Sequence, residues 1–142
     1  EFVKFAVTDS GQSRYGRSGF PVSRGTADMK VVRRARAMLQ RGECVLIYPE
    51  GTRVKDDAQA KVHGGYALMA QMAKAPVQPV AVIGARNLRV RSRVWLKAGR
   101  PVEWSEIDAP KRREQVAKME EVGMGRVFEL RDELRQAHPG LE

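Results

Sequence analysis

Five consecutive apolar residues, Cys44-Val45-Leu46-Ile47-Tyr48, run directly into Pro49-Glu50-Gly51-Thr52-Arg53. An apolar run of that length between turn signals is the pattern of a strand buried on both faces, as in a parallel sheet. Strands of that kind need layers above and below them, and the flanking segments can supply those layers. Residues 26–41 place Val32, Ala35 and Leu39 at helical spacing, with Thr26 or Asp28 as a cap and Gly42 as a stop. Residues 64–74 read as a second helix, ended by Pro76. Residues 77–83 read as another buried strand, and residues 2–7 as an extended opening segment. Residues 89–97 alternate strictly, with Val90, Ser92, Val94 and Leu96 on one face and Arg89, Arg91, Arg93, Trp95 and Lys97 on the other. From Pro110 a last helix extends to about His138, weakened in its middle by Gly123 and Gly125. This alternation predicts an α/β fold with a mixed, largely parallel sheet flanked by helices. We expect a single domain over residues 1–142.

Composition narrows what such a domain can meet. The chain of 142 residues carries 26 Lys and Arg against 17 Asp and Glu, a formal charge of +9. With 42% apolar residues it is too apolar for a disordered polycation. Its single cysteine, Cys44, excludes an internal disulfide and a cysteine-based zinc site. No apolar run approaches the roughly 18 residues that a membrane span needs. The charge is uneven: residues 86–100 hold six basic and no acidic side chains, whereas the tail from 101 is net negative. The partner is therefore expected to be anionic.

The turn after residue 48 is where chemistry is expected, because ligands on open α/β sheets sit beyond the carboxyl ends of strands. Gly51 permits a backbone that turns N–H groups toward an anion. Arg53 offers a planar fork for phosphate oxygens. Glu50 can orient a hydroxyl or hold an arginine. A purely structural turn closed by a Glu50–Arg53 ion pair is the other reading of the same residues.

Tyr48-Pro49-Glu50-Gly51-Thr52-Arg53 resembles the third conserved block of the glycerolipid acyltransferases, the 1-acylglycerol-3-phosphate and glycerol-3-phosphate O-acyltransferases. Gly19-Phe20-Pro21-Val22-Ser23-Arg24 is similar to the second block, and Ala75-Pro76-Val77-Gln78-Pro79-Val80 to the fourth. The resemblance implies a glycerol-3-phosphate acyltransferase-like fold and a reaction that uses no metal or cofactor. It also implies transfer of a fatty acyl group from acyl-CoA or an acyl-carrier protein to a hydroxyl of a glycerol phosphate lipid, lysophosphatidic acid first among the acceptors. Arg24, Glu50, Gly51, Thr52 and Arg53 would bind the acceptor, and Pro79 would line the acyl-donor groove. Val54, His63 and Gln78 depart from the pattern.

The family's first block, a histidine with an aspartate five positions later, has no match here. Five beyond His63 stands Leu68, and five beyond His138 lies past Glu142. The general base is therefore expected upstream of Glu1, the domain to be N-terminally truncated, and the chain to be inactive by itself. The resemblance further implies an anionic membrane surface as partner, at the cytoplasmic face, peripheral or anchored through the missing segment. The face bearing Arg89, Arg91, Arg93, Trp95 and Lys97 could meet lipid headgroups, or be a solvated edge strand. Two rival readings are a basic nucleic-acid-binding module and a non-catalytic lipid-binding member of the same family. The first leaves the 48–53 turn unexplained and has few aromatics for base stacking, so no nucleic acid is expected.

Overall fold

A computed structural model describes residues 6–7, 29–49, 65–85 and 90–140. The chain divides into two compact units, Glu1–Ala75 and Pro76–Glu142.

In the first unit, strand β1 (Ala6–Val7) pairs in parallel with β2 (Leu46–Ile47), and helix α1 (Met29–Gln40) lies between them in the chain. A parallel pair needs such a crossover, because a tight turn can join only antiparallel strands. Val31, Val32, Ala35 and Met38 form the buried face of α1, spaced as one side of a helix. That helix packs on α2 (Gly65–Ala73), whose buried Ala67 and Ala70 allow close approach.

Both helices end in the same six-residue closure. After α1, the Glu43 N–H donates to the Met38 carbonyl at 3.1 Å and the Gly42 N–H to Leu39 at 3.0 Å. Gly42 supplies the left-handed residue this motif requires, at φ +78°. After α2, the Ala75 N–H donates to Ala70 at 3.0 Å and the Lys74 N–H to Gln71 at 3.2 Å. There the left-handed position, at φ +53°, is held by Lys74.

In the second unit, β3 (Val80–Ile83) and β4 (Trp95–Ala98) form an antiparallel pair, with Ala81 opposite Lys97 and Ile83 opposite Trp95. Val77 and Val102 add a bridge, through N–H donations of 3.0 and 2.8 Å in the two directions. One face of the pair packs on α3 (Arg112–Ala137), where Ala81 and Ile83 meet Leu130 and Leu134. Helix α3 continues through Gly123 and Gly125 without interruption.

The α/β expectation is met in its coarser part, and two further expectations need correction. A single, largely parallel sheet is not shown: among the described residues there is one parallel and one antiparallel pair, in separate sheets. The apolar runs are not buried on both faces either. Leu46 and Tyr48 are exposed in and beside β2, and β3 buries Ala81 and Ile83 while exposing Val82. In the second unit the reason is that α3 covers only one side of the pair. Finally, residues 89–97 are not one strand. Val90 and Arg91 form a turn, Arg91 has φ +72°, and β4 begins at Trp95. A left-handed residue interrupts the extended geometry that strict alternation predicts.

Candidate functional site

The described part of the candidate site is the carboxyl end of β2. Tyr48 follows the strand, exposed, and Pro49 begins a turn with its ring half-buried. Proline ends the ladder because it has no N–H to donate. Upstream, Arg41 donates to the Glu43 carboxylate through Nε at 2.6 Å. Arg24, Glu50, Gly51, Thr52 and Arg53 lie outside the described residues, as does His63.

Pro79 is buried just before β3. Its carbonyl accepts the Gly99 N–H at 3.0 Å. A side chain at Gly99 would come within 3.3 Å of the Pro79 ring and 2.9 Å of Leu130 Cδ1. The Gln78 amide donates to the Gly99 carbonyl. Pro79 thus sits where the start of β3, the end of β4 and α3 converge.

The basic segment 86–100 resolves into distinct roles. Lys97 Nζ donates to Glu133 Oε2 at 2.6 Å, reaching α3. Trp95 stacks on His138, beyond the end of the same helix. The part of that face carried by β4, for which lipid contact was one of two readings, is therefore the side that packs on α3. Arg100 donates to Glu106 Oε2 at 2.6 Å, and Arg126 to the same oxygen at 3.0 Å. Arg91 and Arg93 are exposed, while Arg86 and Arg89 lie outside the described residues.

Glu106 is a centre that sequence reading missed. Its Oε1 accepts the Glu103 N–H at 3.0 Å, closing a short 3₁₀ turn at Trp104–Glu106. That backbone bond, followed by the Arg126 guanidinium, holds its carboxyl below the usual carboxylate range. A glutamate three residues after Glu103 was a local signal for the turn. Nothing local signalled Arg126, 20 residues away. Among the described residues, no three His, Cys, Asp or Glu side chains gather as a metal site would require. No described helix is long and apolar enough to cross a membrane.

Comparison with known proteins bears on the turn after β2. The Acyltransferase family model matches residues 14–83, which contain Arg24, the 48–53 hexapeptide and Pro79. The chain belongs to the glycerolipid acyltransferase family. It is 32% identical over 120 residues to a Bacillus subtilis (strain 168) protein named 1-acyl-sn-glycerol-3-phosphate acyltransferase, covering 82% of this chain and 59% of that protein. A protein of the same name from Streptococcus pneumoniae is 33% identical over 92 residues, covering 62% of this chain and 33% of its own length. The chain thus spans at most 59% of these two relatives. No solved structure matches it.

Proposed function

We propose that this chain forms the acceptor-binding part of an O-acyltransferase of phospholipid synthesis. The observation that carries the reading is the Tyr48-Pro49-Glu50-Gly51-Thr52-Arg53 sequence at the carboxyl end of β2, inside the matched segment. The names of the two relatives support a glycerol phosphate lipid as acceptor, lysophosphatidic acid in particular.

In this reading Arg24 and Arg53 clamp the acceptor phosphate, each with a planar fork suited to two oxygens. Gly51 brings backbone N–H groups close to it, Thr52 adds a hydroxyl donor, and Glu50 orients the glycerol. Pro79 borders the groove for the acyl donor, acyl-CoA or an acyl-carrier protein. The acceptor oxygen bonds to the thioester carbonyl carbon, the carbon–sulfur bond breaks, and the thiol leaves with the proton. The base that takes the hydroxyl proton is the family's histidine, for which neither His63 nor His138 has the required aspartate spacing. The site works at an anionic membrane surface on the cytoplasmic face.

Equilibrium titration of the 142-residue chain with a short-chain, water-soluble lysophosphatidate tests the reading. Arg24→Ala and Arg53→Ala should each weaken binding by about tenfold or more, the loss expected for a charge-assisted contact. Wild-type affinity in both variants would overturn it.

A further inference from the structure

The corrected geometry of residues 90–98 places an apolar side chain among outward-pointing cations. Val90, in the turn before β4, is 96% exposed, with exposed Arg91 and Arg93 beside it. Val94 is exposed at 46%, and Leu96 at 65% stands opposite Val82 on the face turned away from α3. Single exposed apolar residues need no explanation. Here, however, several lie together in a stretch whose sequence from 86 to 100 holds no acidic residue.

The remaining cations of the segment differ in kind. Lys97 and Arg100 are each held by a glutamate, so their charge is locally offset. Arg91 and Arg93 stand at the end of the hairpin, beyond the carboxyl end of β3. A nucleic acid would use the cations but has no use for Val90 and Leu96, and Trp95 is already stacked on His138. An anionic lipid surface uses both features: phosphates for the guanidinium groups, and the boundary of the acyl region for the apolar side chains.

We propose that the tip of the β3–β4 hairpin, Val90 with Arg91 and Arg93 and with Leu96 behind them, seats the protein on an anionic lipid surface. This deepens the acyltransferase reading, on which it rests for a lipid acceptor, by assigning the surface that meets the bilayer. It also moves lipid contact from the side of Trp95 and Lys97, where the sequence left it as one of two readings, to the hairpin tip.

The test is co-sedimentation of the 142-residue chain with vesicles of mixed phosphatidylglycerol and phosphatidylcholine, and with vesicles of phosphatidylcholine alone. Binding is expected to the anionic vesicles only. The double variant Arg91→Glu/Arg93→Glu should bind them at least about tenfold more weakly. Val90→Asp should remove the part of the binding that survives raised salt. Circular dichroism and the melting midpoint should stay unchanged, since all three side chains are exposed. Arg33→Glu/Arg36→Glu, on the exposed side of α1, should bind within about twofold of wild type. Equal binding to both vesicle types, no binding, or a hairpin variant that binds like wild type would overturn the proposal. So would an equal loss in the α1 variant, or duplex DNA that displaces the vesicles. The vesicles contain no acceptor, so Arg53→Ala should bind them normally even where it fails to bind lysophosphatidate. Failure of the two readings is thereby told apart.

Discussion

The Trp95 indole lies flat against the His138 imidazole, with ring centroids 3.8 Å apart and planes 15° from parallel. Trp95 belongs to β4, and His138 caps α3, with its N–H donating to the Leu134 carbonyl at 2.9 Å. The stack therefore ties the end of the helix to the strand that the helix covers. His138→Ala should lower stability by about 0.5–1.5 kcal/mol, the range for an aromatic pair beyond its area. A urea unfolding midpoint measures the loss. Exchange of the Leu130 and Leu134 amides should change little, because their packing on Ala81 and Ile83 remains.

Glu106 gives the second unit a defined response to acid. Its carboxyl is held below its ordinary range by the Glu103 N–H and then by Arg126. As pH falls, the unfolded chain takes up this proton first, so stability present above the ordinary glutamate value is lost as pH drops toward the lower folded one. Glu106→Gln should flatten this part of the acid limb in pH-dependent melting while lowering stability at neutral pH. Because the group is solvent-accessible, the effect should shrink in high salt. An acid limb identical in wild type and variant would remove Glu106 as its source.

Two glycines should respond to alanine with opposite signs. Gly125 lies inside α3, and a Cβ there would meet nothing within 4 Å. Gly125→Ala should stabilise by up to about 1 kcal/mol through helix propensity alone. Gly84 has φ +79°, and a Cβ there would run into the Arg93 carbonyl across the hairpin. Gly84→Ala combines a left-handed alanine with a backbone clash and should cost more than about 2 kcal/mol. Thermal melts of the two variants should move apart about the wild-type value.

Lys74 invites the converse change. It holds the left-handed position that Gly42 holds after α1, at φ +53°. A side chain in that region costs roughly 1 kcal/mol, part of which glycine returns through the entropy of the unfolded chain. Lys74→Gly should therefore stabilise modestly, by about 0.5 kcal/mol. A lower melting midpoint would mean that the Lys74 side chain contributes more than its backbone costs.

What could be read in the sequence follows the range of the forces involved. Helix α1 was legible because its spacing and its Gly42 stop are local. So was the end of α2 before Pro76. The orientation of β4 was not, because strict alternation fixes two faces without naming the buried one. The decision came from α3, which brings Leu130, Leu134 and Glu133 to one side, so that Lys97 finds an acid on the packed face and Leu96 is turned outward. Glu106 was hidden for the same reason: Arg126 reaches it from 20 positions away. The 48–53 turn was legible as a motif, and its first two residues stand where expected, at the end of β2.

Acyl transfer to a hydroxyl needs a base positioned to take the proton as the oxygen attacks, a contribution of typically 10²- to 10⁴-fold. His138 is stacked on Trp95 in the second unit, and its ring serves packing there. His63 has Leu68 where an orienting aspartate would stand. The 142-residue chain should therefore bind lysophosphatidate without converting it when supplied with a long-chain acyl-CoA, as read by release of free thiol. A chain extended upstream to include a histidine–aspartate block should release thiol, and Arg53→Ala in that longer chain should lose most of the rate. Thiol release by the 142 residues alone, abolished by His63→Ala, would show instead that His63 serves as the base.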